Sequence, residues 1–247
     1  MSDILKTTFI GLFFGAFGTT LGGILGVKIG NPSNKFLSFV LALASGLMTS
    51  IVCFDLVPEA LELSTFSNVV IGMGIGIIMM GICDIIVQKS FNNSNHLGKN
   101  SNSLLKTGVI VSIGLAIHNF PEGLAIGSGF GASITLGYSL AIAIALHDIP
   151  EGISMSLPMK HGGIKTKKVI LYVILSGITT GIGAFFGAIV GNISTDVISM
   201  CLAFAAGAMI YIVSGELIPE YNNLYRGRIS ALGNILGIVL GIITTII

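Results

Sequence analysis

The chain has 247 residues, 53% of them hydrophobic and only 9% charged, with a formal net charge of +1. A soluble domain carries roughly 25% charged residues because its surface faces water; a mean hydropathy of +0.95 excludes that class and calls for a bilayer as solvent. Near-neutral charge also argues against a nucleic-acid partner.

Apolar stretches of about 20 residues, the length that crosses a bilayer core, recur at 5–27, 36–57, 67–88, 104–128, 133–157, 169–191, 197–218 and 229–247. The first reads as a spanning helix rather than a signal peptide, because Asp3 weakens the positive leader and the run exceeds a signal's apolar core. Eight spans put both termini on one side. Lys28 and Lys35 lie between spans one and two, Lys89, Lys99 and Lys106 between three and four, Lys160, Lys165, Lys167 and Lys168 between five and six, and Arg226 and Arg228 between seven and eight. Only Lys6 lies opposite, so those four connections are expected in the cytoplasm and both termini outside. The segment 89–103, rich in Asn and Ser, reads as a flexible cytoplasmic loop. The expected fold is an all-α integral membrane protein, one transmembrane domain over 1–247. Cys53, Cys83 and Cys201 fall in apolar runs and read as packing residues rather than disulfide partners.

Spans four and five carry nearly the same string, His118-Asn119-Phe120-Pro121-Glu122-Gly123 and, 29 residues later, His147-Asp148-Ile149-Pro150-Glu151-Gly152. A histidine and a glutamate four apart share one helix face. Two such helices side by side form a four-ligand cage from His118, Glu122, His147 and Glu151. Ionisable groups in hydrocarbon are costly unless they face one another, water or an ion, so the duplicated pattern reads as an intramembrane metal site. The alternative is a hydrogen-bonded or proton-relay cluster without metal. Asn119 and Asp148 point about 100° from their neighbours, so contacts that support the ligands or pack the helices are one reading of them. Pro121 and Pro150 cannot donate to Ile117 and Leu146, so a kink is expected beside each histidine.

A second repeat links spans two and seven. Gly46-Leu47-Met48 with Asp55-Leu56-Val57-Pro58-Glu59 matches Gly207-Ala208-Met209 with Glu216-Leu217-Ile218-Pro219-Glu220 at a constant offset of 161 residues. An odd number of crossings separates the copies, which is the mark of an inverted repeat: spans one to three mirror six to eight, and four pairs with five, a 3+2+3 arrangement. Glu59 and Glu62 at the outer end of span two, and Glu216 and Glu220 at the inner end of span seven, read as attractors of cations along a path that also passes Asp55, or as interfacial residues. Gly183, Gly187 and Gly191, and again Gly233, Gly237 and Gly241, form small-residue stripes suited to helix packing within one chain, with a homodimer as the other reading. His96 and His161 lie in cytoplasmic connections and are expected to face water.

These motifs resemble those of the ZIP (Zrt/Irt-like protein) family of divalent metal transporters, over essentially the whole chain. The resemblance implies a first metal position of Met48, His118, Glu122, His147 and Glu151, and a second that shares Glu122 and Glu151 with Asn119 and Asp148. Many members add a glutamate from span six in Ser-Gly-Leu-Ala-Glu-Pro; here that stretch is Ser176-Gly177-Ile178-Thr179-Thr180-Gly181, so Thr180 replaces a carboxylate and the second ion is expected to be weak or absent. The implied function is transport of zinc, or iron, manganese or cadmium, toward the cytoplasm across the plasma membrane, the ion being cargo and no other cofactor being expected. The resemblance also implies an elevator in which spans one, four, five and six move against two, three, seven and eight. A channel using the same polar residues is the alternative. An enzyme is not expected, since an intramembrane metalloprotease would need His-Glu-x-x-His, a string this chain lacks.

Overall fold

The computed structural model describes residues 2–95 and 101–246, and among them no strand occurs. Ten α-helical and two π-helical segments join into eight rods: α1 (Ser2–Ile29), α2 (Asn34–Leu63), α3 (Phe66–Asn95), α4 (Ser101–Ala132), α5 (Ile134–His161), α6 (Thr166–Val190), α7 (Thr195–Leu224) and α8 (Arg228–Ile246). Short polar turns separate them. Ser33, Ser133 and Ser194 each accept a backbone N–H two or three residues into α2, α5 and α7, which supplies a partner to a donor the helix cannot satisfy itself. Gly30 and Gly163 take positive φ after α1 and α5, the left-handed stop that glycine adopts without strain.

Two rods change register midway. In α2 the α-helix gives way to a π-helix over Ile51–Leu56, and in α7 over Val213–Leu217. Pro58 and Pro219 then sit in the first turn of the following α-segment, where a missing N–H costs least. The extra residue in each π-turn re-aims the side chains there, among them Asp55 and Glu216.

Seven rods are long and apolar enough to cross a membrane: α1, α2, α3, α5, α6, α7 and α8. The eighth expected span coincides with α4. α3 and α8 turn stripes of Ile and Leu outward, including Ile71, Ile75, Ile78 and Ile82, and Leu232, Ile235 and Leu236.

Several expectations need correction. The loop expected over 89–103 is largely helical: α3 continues to Asn95 and α4 begins at Ser101, because polar Asn and Ser extend a helix already propagating. Residues 96–100, with His96 and Lys99, lie outside the described residues. α4 and α5 run as unbroken α-helices through Pro121 and Pro150. Polar ties from α6 brace α4 at this level, where Thr179 Oγ1 donates to the Ala116 carbonyl and Asn119 Nδ2 to that of Ser176. The three cysteines are free, as expected, but Cys53 is exposed rather than packed. His161 is exposed as expected and also bonds the Gly30 carbonyl at 2.9 Å.

The rods pack in two groups, α1, α4, α5 and α6 in one and the pairs α2 with α8 and α3 with α7 in the other; α4 meets α7 and α2 meets α5 across the divide. Glycines set the closest approaches, and they do so twice over. A Cβ on Gly76 would strike the carbonyl oxygen of Phe204, and one on Gly237 that of Leu43; Gly207 abuts Met73 O, and Gly46 abuts Asn234 O. Every residue in one member of these pairs is offset by 161 from its counterpart in the other. In the first group, Gly123 abuts Thr180 O and Gly152 abuts Thr19 O, again with offsets of 161 for the threonines and 29 for the glycines. Both glycine stripes noted above are occupied inside the chain: Gly183 and Gly187 lie on α4, and Gly233 and Gly237 on α2.

Candidate metal centre

α4 and α5 lie side by side, so the faces bearing His118 with Glu122 and His147 with Glu151 approach one another. Ligand atoms of Glu122, His147, Asp148 and Glu151 all fall within 4.8 Å of one another, and all four residues are buried. His147 Nε2 lies 3.1 Å from Glu122 Oε1 and 3.4 Å from Asp148 Oδ1, while its Nδ1 faces the Ala143 carbonyl at 3.3 Å.

Unused bonding capacity is concentrated here. Glu122 Oε2, Asp148 Oδ1 and Oδ2 and Glu151 Oε2 are buried without a hydrogen-bond partner; outside the group of four, Ser50 Oγ, Asn119 Oδ1 and Thr180 Oγ1 are too. Buried polar atoms are normally paired, and a low-dielectric pocket holding three carboxylates and one imidazole is repulsive unless a cation compensates. One nitrogen and several oxygens at this spacing suit a divalent transition metal, which takes imidazole and carboxylate together, better than magnesium, which prefers oxygen alone.

The structure draws together four of the expected site residues and sets others apart. His118 lies beside Glu151 on the cavity wall but outside the group of four: its Nδ1 donates to the Gly114 carbonyl at 2.7 Å, and its Nε2 meets Glu216 Oε2 of α7 at 2.9 Å. Asn119 is buried beside α6. Met48 is buried in the hydrophobic core with Ile51, Leu140 and Ile144. Thr180 is buried, its side chain pressed against Gly15 of α1. Asp55 is buried in the π-turn of α2 and accepts from Thr245 of α8 at 3.2 Å. Glu59 is half-buried and Glu62 exposed at the end of α2.

A cavity of about 390 Å³ opens from this site toward one end of the bundle. His118 and Glu151 form its deep wall; Glu216 and Glu220 line its side, and Pro158, Gly162 and Ile164 its mouth. Basic residues gather at that end. Lys35 lies over the Tyr225 ring, Lys160 donates to Thr166, and Lys28 closes α1. One further acidic residue of this wall escaped the sequence reading. Asp84 accepts from Tyr211 OH at 2.9 Å and from Gln88 at 2.8 Å, in the cavity that Glu216 also lines. A lone carboxylate inside the apolar run of α3 was the available signal.

The profile described as ZIP Zinc transporter matches residues 88–247. The chain is 32% identical to zinc transporter ZupT of Akkermansia muciniphila, over 96% of this chain and 93% of that protein. It is 31% identical to ZupT of Campylobacter jejuni, covering 92% and 91%. Zinc transporter ZIP11 of Bos taurus is 41% identical over 53% of this chain and 40% of its own length. With a profile match over more than half its length and near full-length relatives, this chain belongs to the ZIP family of membrane metal transporters and is not an enzyme.

Proposed function

We propose that the chain carries divalent transition-metal cations, zinc foremost and also iron, manganese or cadmium, across the plasma membrane toward the cytoplasm as an alternating-access carrier. The observation that carries this reading is the buried cluster of Glu122, His147, Asp148 and Glu151, with unpartnered oxygens aimed at one point beside a cavity open to one end. A bare divalent ion cannot enter hydrocarbon, so a carrier must replace its hydration shell yet release it. Glu151 belongs to both the cluster and the cavity wall, and His118, Glu216 and Glu220 continue the line toward the mouth. An ion leaving the cluster thus passes from ligand to ligand. Met48 is assigned to the first position from the family pattern. Asn119, Asp148 and Thr180 border the second, which lacks a fourth carboxylate.

All eight rods span the bilayer in this reading, in an inverted 3+2+3 repeat with both termini outside. Support comes from the duplicated π-turns and from the glycine contacts that recur at offsets of 161 and 29. The lysines at this end of the bundle support a cytoplasmic side for the cavity, and in this reading the conformation is inward-open. Movement of α1, α4, α5 and α6 against α2, α3, α7 and α8 would open the other side.

Uptake of radioactive zinc into proteoliposomes tests the reading. Saturable uptake is expected, with Glu151→Ala reducing it to background in protein that still folds. Undiminished flux in Glu151→Ala, or flux that never saturates, rejects it. Thr180→Glu is expected to raise the number of ions bound per chain, counted by elemental analysis.

A further inference from the structure

Asp55 is a carboxylate buried in the π-turn of α2 at 5% exposure, and it is not among the residues that line the cavity. Such a group in hydrocarbon demands a function, and its register supplies one. At the offset of 161, Asp55 is the counterpart of Glu216; at the offset of 29, His147 is the counterpart of His118. Both carboxylates sit in a π-turn. On the open side Glu216 reaches across the divide between the two groups of rods and meets His118 Nε2 at 2.9 Å. On the closed side Asp55 stays within its own group, accepting from Thr245, while His147 Nε2 turns to Glu122. Thr245 is itself the counterpart of Asp84, which lines the open cavity.

The walls obey the same relation. Leu115, Met155, Ile212 and Leu217 line the cavity, Ile212 and Leu217 from the edge of the main hydrophobic core, and their counterparts Ile144, Ile126, Ile51 and Leu56 are all completely buried in that core and line no part of the cavity. That core is the same interface with its two sides in contact. Asp55 stands within it as Glu216 stands in the cavity, lacking only the separation that would let a histidine reach it.

We propose that Asp55 is the outward-facing partner of His147: when the outer side opens, Asp55 leaves Thr245 and binds His147 Nε2, while Glu216 releases His118. The two pairs alternate, so that each open state is held by one carboxylate-histidine bond across the divide. This rests on the alternating-access reading above. Asp55 acts here as a positioning residue, and its pair sets how long the outer side stays open to a hydrated divalent cation.

Cysteine labelling tests it. Cys83 lines the inner cavity, and its counterpart Thr244 lies at the closed side. In a Cys53→Ala, Cys201→Ala background, Cys83 reports inner access to a membrane-impermeant maleimide; adding Cys83→Ala and Thr244→Cys reports outer access. Asp55→Asn is expected to slow outer labelling and speed inner labelling, and Glu216→Gln to do the reverse. Loss of one charge-assisted hydrogen bond corresponds to a shift of about tenfold in the ratio of the two rates. General damage to folding moves both variants the same way, so opposite signs are the signature. Changes of the same sign, or none for Asp55→Asn while the parent labels from both sides, overturn the role of Asp55 alone. A protein that takes up zinc yet never labels at Thr244→Cys from outside overturns the alternating-access reading as well.

Discussion

The two sides of the α4–α5 pair are built from matching sequence and have opposite structures. Toward the basic end, the interface between the two groups of rods is a cavity with four carboxylates, Asp84, Glu151, Glu216 and Glu220, on its walls. Toward the other end, the equivalent interface is a packed core of Ile51, Leu56, Ile126 and Ile144 with one carboxylate, Asp55, inside it. Matching residues thus do not dictate matching burial. In the proposed carrier what differs is the relative position of the two groups of rods, since alternating access requires a fold with two such solutions of similar energy.

The histidines give the sharpest contrast, and the largest expected effect. His147 touches Glu122 and Asp148 within the cluster, whereas His118 touches Glu216 on the far side of the divide. His147→Ala should weaken zinc binding in detergent at least about 100-fold, as expected for a direct ligand. His118→Ala should weaken it by about tenfold at most in this conformation, while reducing uptake strongly because the ion meets it on leaving. Titration calorimetry beside uptake separates the two. Equal losses of affinity would mean that both imidazoles grip the ion at once, the symmetric cage that helical spacing alone suggests.

That distinction shows where sequence reasoning stops. Spacing of four places His118 with Glu122 and His147 with Glu151 on common faces, and the cluster was readable to that extent. Which imidazole joins it depends on how the two groups of rods are placed against each other, a tertiary quantity absent from either motif. The family resemblance assigns Asp148 to a second position; its carboxylate lies 3.4 Å from Nε2 of the adjacent His147, and the helix crossing sets Glu122 beside both. The spans and the basic end were legible because bilayer length and charge asymmetry act locally. The π-turns were not, since an extra residue in a helix is fixed by packing, although the Pro58 and Pro219 that follow them were in plain view.

Stability offers a second test of the open and packed sides. Ile144 is completely buried, and its counterpart Leu115 borders the cavity. Ile144→Ala should cost about 2 kcal/mol or more through the void it leaves, and Leu115→Ala about half of that or less. Thermal unfolding in detergent compares them. A mutation that favours the outward-open state should reverse the order, because Ile144 then becomes the cavity wall.

Glycine contacts should be indifferent to that exchange, since they lie inside the moving groups rather than between them. A Cβ on Gly123 meets the Thr180 backbone on α6, and one on Gly152 meets the Thr19 backbone on α1; backbone cannot swing aside as a side chain can. Gly123→Ala and Gly152→Ala should each cost about 1–3 kcal/mol by forcing two helices apart. Gly74 on α3 has nothing within 4 Å of an added Cβ, so Gly74→Ala should be neutral or stabilising by up to about 1 kcal/mol from helix propensity alone. The three melting temperatures, measured with and without saturating zinc, should keep their order in both conditions. If zinc changed the ranking of Gly123→Ala and Gly152→Ala, the α4–α6 and α1–α5 contacts would move during transport, and the α1, α4, α5 and α6 group would not travel as a rigid body.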